Sequence, residues 1–263
     1  MTYTTLTIER DDSPIRNLII DVPDDPLNLL TPQLHHDLLE AFRELRQDLD
    51  ARAIIMSARG KAFSGGGHME KLFADYRDLP QAMRHHHNGR EILTQLVDIP
   101  VPVIAAVGGV AAGFGCSLAM VSDFIVMAEG AVLVDPHVRA GIVAGDGGTI
   151  GFPYAMSMQQ AKKHLMMCRP LHAEDALRLG LAIDVVPRED LLSAARRIAE
   201  EIAALPPLAV RHTKQALNAY YRTSMPYAVE LASAWEHVTF RTQDHREAVD
   251  SFLEKRSPEY EGR

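Results

Sequence analysis

The stretch DPHVRAGIVAGDGG, Asp135 to Gly148, holds one histidine, His137, and nine positions later (146 − 137 = 9) an aspartate between glycines, Asp146. An imidazole titrates near pH 6.5, and a carboxylate beside it fixes its tautomer, so a His–Asp pair can move protons near neutral pH. Taken alone, the two residues are better described as a loop histidine bonded to backbone and a turn aspartate. Two glycine-containing turns offer a second kind of chemistry. In GKAFSGGGHMEK, Gly65, Gly66 and Gly67 let the chain turn sharply and leave amide hydrogens uncovered. In GGVAAGFGCSLAM, Gly113 and Gly115 flank Phe114 where a helix is expected to start, and amides at a helix N-terminus suit a developing anion. If both turns face one cleft, an amide from each can hold a single oxyanion; tight strand–helix packing is the alternative for either turn. Neither turn has the spacing of a P-loop, and no dinucleotide-binding GxGxxG is present.

The elements that must position these residues follow from periodicity. YTTLTIER and RNLIID alternate as two short strands. TPQLHHDLLEAFRELRQDLD places Thr31 as N-cap and Pro32 at the first helical position, with Leu34, Leu38, Phe42, Leu45 and Leu49 on one face. ARAIIMS and VPVIAAV read as buried strands, and a helix is expected from Met69. The region from Asp75 to Gln95 reads only as a polar stretch carrying His85, His86 and His87. GCSLAMVS is a helix, DFIVMA and AVLVD are strands, and helices dominate from Ser157 onward, one closed by Gly180 and the last running from about Pro226 to Lys255. Strand–helix alternation in the first half argues for an α/β core, covered by the helical second half.

The chain has 263 residues, a formal net charge of −8 and 24% charged residues. That charge supplies no field for phosphate backbones or anionic lipid, so small molecules are the expected partners, not nucleic acid or membrane. Val101 to Val121 is uncharged and long enough to span a bilayer, but Pro102 and the glycines Gly108, Gly109, Gly113 and Gly115 make it a buried strand, turn and helix. Two cysteines, Cys116 and Cys168, imply no disulfide framework, and with no secretory signal in MTYTTLTIERDD the expected compartment is the cytoplasm. Consecutive helical residues lie about 100° apart, so His85, His86 and His87 cannot share one ion, and no metal site is expected.

GKAFSGGGHMEKL, IPVPVIAAVGGVAAGFGCSLAMVSDFIVMA, AGIVAGDGGTIGFP, HAEDALRLGLAIDVVP and FLEKRSPEYEGR, in that order, resemble the crotonase superfamily, the enoyl-CoA hydratase/isomerase family, over nearly the whole chain. The resemblance implies a spiral of ββα repeats over residues 1–200 and a helical C-terminal trimerisation region over 201–263, with trimers often paired into hexamers. It implies an oxyanion hole made by the amides of Gly67 and Phe114, acting on the enolate oxygen of a thioester or ketone.

Three departures qualify it. The two glutamate positions of the hydratases hold Ser117 and His137, so the two-carboxylate activation of water is missing. Asp24 and Asp25 stand where many members meet the phosphates of coenzyme A, unless Lys255 or Arg256 compensates. Asp146 lies one position beyond the commonest place for an acid, and with His137 resembles members that hydrolyse a carbon–carbon bond of a cyclic β-diketone. His68, Ser117 and His87 are expected around the substrate pocket, with Arg90 and Met83 as further wall candidates and Glu70 solvated. The first expectation is therefore an acyl-CoA enzyme, coenzyme A serving as substrate carrier, with His137 as acid/base and Asp146 as its orienting partner. A β-diketone hydrolase using the same residues, without coenzyme A, is the alternative, and a catalytically silent binding member is a third.

Overall fold

The computed structural model describes residues 3–68 and 79–263. Strands β1 (Leu6–Arg10) and β2 (Ile15–Ile20) form an antiparallel hairpin, and β3 (Ala53–Ala58), β4 (Val103–Val107), β6 (Phe124–Ala128) and β9 (Asp184–Val186) add to β2 in parallel. A second sheet holds β5 (Val110–Ala112), β7 (Val132–Val134) and β8 (Leu171–His172). After β4 and again after β6, the chain crosses at once from the first sheet to the second, which is the strand–strand–helix repeat in its barest form. All five residues of β4 are buried, as a parallel strand covered on both faces requires. Val101 to Val121 accordingly forms β4, β5 and helix α3 (Phe114–Met120), and no helix among the described residues is long and apolar enough to cross a membrane.

Helix α1 (Pro32–Gln47) starts as expected, with Thr31 Oγ1 accepting from the Leu34 N–H at 3.1 Å. It ends two residues before Leu49, which is therefore 77% exposed instead of completing the apolar face. Three further expectations are corrected or lie out of reach. The polar stretch is largely helix α2 (Leu79–Asp98), in which, among the described side chains, the buried apolar ones are Ile92, Leu93, Leu96 and Val97 of its C-terminal part. The helix expected from Met69, with Glu70, lies outside the described residues. Pro226 starts no helix; it stands inside α8 (Pro207–Thr239), and the break comes at Phe240, before Thr242 caps α9 (Gln243–Glu254). A proline inside a helix removes one ladder bond. Here Met225 and Val229 bury on either side of it and carry the helix through.

Helices α4 (Gly148–Ala155), α5 (Met158–Met166), α6 (Ala173–Arg178) and α7 (Leu191–Ala203) complete the chain. Gly180, at φ +75°, follows the end of α6.

Candidate active site

Two turns line a cleft of about 740 Å3. The first is built from Asp25 outward: its carboxylate accepts from the Leu27 and Leu29 amides at 2.9 and 2.8 Å, and the Leu27 carbonyl then accepts from the Gly65 N–H at 2.7 Å. Buried Asn28 fastens the same turn, accepting from Val22 N–H at 2.9 Å and donating to the Ala62 carbonyl at 3.1 Å. The first turn is zipped to the second by Ala112 N–H donating to the Ser64 carbonyl at 2.8 Å. Gly66 makes the close approach possible: at φ +78°, a Cβ there would sit 2.7 Å from the Ala112 carbonyl oxygen. Phe114 opens α3 behind Gly113, where no side chain caps the helix, so its amide has no partner within the helix. Gly67 and Phe114 line the same cleft.

The same cleft carries titratable side chains packed against the second turn, where a Cβ on Gly113 would lie 3.4 Å from His137 Cε1 and 3.9 Å from Asp146 Oδ2. His137 begins a short 3-10 turn, His137–Ala140, and its ring is held at both nitrogens. Nδ1 meets Asp135 Oδ1 at 2.6 Å, and Nε2 faces Asp146 Oδ2 at 3.1 Å, with Glu236 of α8 at 3.9 Å. Ser117 Oγ donates to the other Asp146 oxygen at 3.3 Å. Burial alone would push the His137 imidazole down, but Asp135 and Asp146 overcome it and hold it well above its ordinary value. Burial likewise pushes Asp135 up, and the His137 charge wins, keeping it below the usual carboxylate range. Glu236 goes the other way: burial, opposed by His137 and reinforced by the two aspartates, pushes it up to about 8.

The donor atoms of Asp135, His137 and Asp146 lie within 4.8 Å of one another, which invites a metal. The aspartates, however, approach opposite nitrogens of one ring. A single ion at about 2 Å from each ligand cannot meet both, so these residues do not fit a metal.

Of the residues singled out from sequence, His137, Asp146, Gly67, Phe114 and His68 share the cleft. His68 Nδ1 is buried there with no hydrogen-bond partner among the described residues. Ser117 is 1% exposed and touches the site through Asp146. His87 does not line the cleft: its exposed ring sits 3.5 Å from Glu91, one turn along the same helix. The side chains of Met83, His85 and His86 are outside the described residues. Arg90 lines the cleft in an ion pair with Glu230, while Arg256, 2.7 Å from Glu247 Oε2, is also paired with Glu254. Sequence reasoning missed Asp135 and Glu236. Asp135 stood in plain view two residues before His137; Glu236, ninety-nine residues away (236 − 137 = 99), gave no local signal.

The family model described as Enoyl-CoA hydratase/isomerase matches residues 17–263. The chain belongs to that family. This enoyl-CoA hydratase/isomerase family member is 32% identical over 260 residues, 99% of both chains, to a probable enoyl-CoA hydratase of Mycobacterium bovis. It is 29% identical over 241 residues to the 1,2-epoxyphenylacetyl-CoA isomerase of Escherichia coli, covering 90% of this chain and 91% of that one. Its fold is the crotonase fold: an enoyl-CoA hydratase/isomerase structure from Mycobacterium paratuberculosis superposes with a TM-score of 0.87 at 35% identity, over 94% of this chain and 98% of that one. A β-diketone hydrolase from Anabaena, bound to (S)-3-oxocyclohexyl acetic acid, superposes with a TM-score of 0.84 at 29% identity, over 90% and 94% of the two chains.

Proposed function

We propose that this family member hydrolyses a carbon–carbon bond of a β-diketone, with His137 and the amides of Gly67 and Phe114 as its working parts. The observation that carries the reading is the His137 ring, bracketed by Asp135 and Asp146 and facing a cleft that also holds both glycine turns. Water gives a proton to His137, and the hydroxide adds to one carbonyl carbon. The bond from that carbon to the carbon between the two carbonyls then breaks. Its electron pair becomes an enolate whose oxygen rests on the two amides, and the imidazolium returns a proton to the enolate carbon. The products are a ketone and a carboxylic acid, joined in one molecule when the diketone is cyclic. General base catalysis contributes about 10²–10⁴ in rate and each oxyanion donor about 10²–10³. Leu30, Leu93, Ile142, Val229 and Phe240 give the cleft an apolar lining that suits a hydrocarbon ring.

Charge placement on the first turn favours a substrate free of coenzyme A: Asp25 lies on the cleft, and Arg256, one of the two tail cations that could offset it, is engaged by two glutamates. The second reading is an acyl-CoA thioester whose enolate rests on the same amides, with His137 as acid/base. It is favoured by the names of the relatives, among them the probable hydratase matched along 99% of its length. On α8, Tyr227, Leu231, Trp235 and Val238 follow one helical face and are 53% exposed or more, which supports assembly into trimers or hexamers through the C-terminal region. Light scattering that finds a monomer would remove that part.

The deciding experiment offers the protein a panel of cyclic β-diketones and enoyl-CoA esters in water enriched in oxygen-18. Hydrolysis is read as a keto acid carrying one heavy oxygen in its new carboxylate. Turnover of the esters with none of the diketones would overturn the proposal in favour of the thioester reading, and turnover of neither would favour a silent binding member.

A further inference from the structure

Asp135 follows β7 and is 1% exposed. Its Oδ1 accepts twice from one residue, from the His137 backbone N–H at 3.1 Å and from ring Nδ1 at 2.6 Å. Its Oδ2 is buried and meets no hydrogen-bond partner among the described residues. A buried carboxylate oxygen without a partner is costly, so its neighbourhood has to supply compensation. Helix α4 begins against it: a Cβ on Gly148, the first residue of that helix, would lie 2.2 Å from Oδ2. The first turn of a helix carries partial positive charge. The carboxylate thus sits between that turn and the imidazole, in a space that any side chain at position 148 would fill.

We propose that Asp135 is the positioning residue of this site: wedged between the start of α4 and the ring, it keeps the ring proton on Nδ1 and turns Nε2 toward Asp146 and the cleft. Asp146 is less suited to that task, because its side chain is 21% exposed and its contact is longer, 3.1 Å against 2.6 Å. The charged groups facing the ring are Asp135 from its own loop, Asp146 from the loop before α4 and Glu236 from α8. The Cys116 thiol of α3 also feels Asp135; burial, then the two aspartates, keep it protonated, so it adds no charge. The kinetic part of the proposal rests on the hydrolase reading, and the structural part does not.

The test records the ring nitrogen-15 signals of His137, assigned by their loss in His137→Ala, across pH in the wild type, Asp135→Asn and Asp135→Ala, beside turnover of a cyclic β-diketone. Neutral His137 is expected to carry its proton on Nδ1 in the wild type and to move toward the Nε2 tautomer in Asp135→Ala. In both variants the ring should titrate about one pH unit or more lower. With the diketone, kcat should fall about 10²-fold with KM nearly unchanged. Asp135→Asn preserves the shape of the side chain, so the titration shift stays measurable if Asp135→Ala fails to fold. Unchanged tautomer and titration in the variants would overturn the positioning role, as would diketone turnover with unaltered kcat and pH limb. The expected ring signals in a wild type that turns over no diketone would uphold Asp135 and sink the hydrolase reading.

Discussion

On the proposed function, two sets of groups around the cleft, here called its walls, do complementary work with different materials. One is backbone: two amides presented by turns, the first of them fastened by the Asp25 and Asn28 side chains. The other is side chain: one imidazole among three carboxylates, where each atom's identity and proton count decide the chemistry. A backbone wall can serve any reaction that passes through an oxyanion, so on this reading it does not select the reaction. The side-chain wall selects which reaction follows, and here it holds a serine and a histidine where the resemblance puts two glutamates.

Removing the centre of the side-chain wall should cost most. His137→Ala is expected to lower kcat by about 10²–10⁴ with the circular dichroism spectrum retained, and a variant keeping half its rate would take this wall out of the chemistry. The backbone wall breaks differently. Gly66→Ala puts a methyl group 2.7 Å from the Ala112 carbonyl at φ +78°, so the turns must separate and the amides lose their common target. A loss of about 10²–10³ in kcat is expected, with a lowered melting temperature. Equal rates for Gly66→Ala and the parent would mean that the two amides do not act together.

The pH profile sharpens the comparison, because only one wall titrates in the working range. His137 sits above its ordinary value, so a step needing it as a base gains rate as pH rises, along a limb on the alkaline side of 6.5. A step needing it first as an acid loses rate over the same range, which separates water activation from enolate protonation. Asp146→Asn removes one of the carboxylates that hold the ring up, so the limb should move to lower pH while the rate falls about tenfold or more. A limb that stays in place would show that Asp146 does not act on the ring. Stability should follow the same sign. Both His137 and Glu236 bind protons more tightly folded than unfolded, so their contribution is complete at low pH and is lost as pH rises through their folded values, about 8 for Glu236. The melting temperature is expected to decline from pH 6 to pH 9, and a rise would contradict the assignment of those protons.

How far each wall could be read in advance follows from the same difference. The glycine turns were legible because a backbone that must bend sharply and stay uncovered leaves glycine at fixed places, Gly65 to Gly67 and Gly113 with Gly115. His137 and Asp146 were legible as a pair only through their spacing in a family pattern. Glu236 was not, because α8 brings it across from the far end of the chain, and a glutamate on a long helix looks solvated until the packing buries it. Asp135 was overlooked for a different reason: an aspartate before proline reads as a turn residue, and only its contact with the ring shows what it faces. Among the elements, α1 carried its cap and stripe openly. Helix α8 hid its continuity at Pro226, where tertiary burial overrides a local break.

The smallest expected effect tests whether the side-chain wall is a modified hydratase or a different device. Ser117 occupies one of the missing glutamate positions, and it is tied to the cluster by a long hydrogen bond to Asp146, 3.3 Å. Ser117→Ala should therefore lower kcat only a few-fold, because the bond is long and reaches the ring only through Asp146. Ser117→Glu should not recover hydratase activity. The backbone at Gly147 leaves no room, since a Cβ there would already lie 3.0 Å from Ser117 Oγ, and a further carboxylate would stand against Asp146 in a buried site. If Ser117→Glu hydrated an enoyl-CoA, the histidine and its carboxylates would be a variation on the two-glutamate site. If a folded Ser117→Glu hydrated no enoyl-CoA, the histidine and its carboxylates would be a proton-transfer device of their own and not a substitute for the two glutamates.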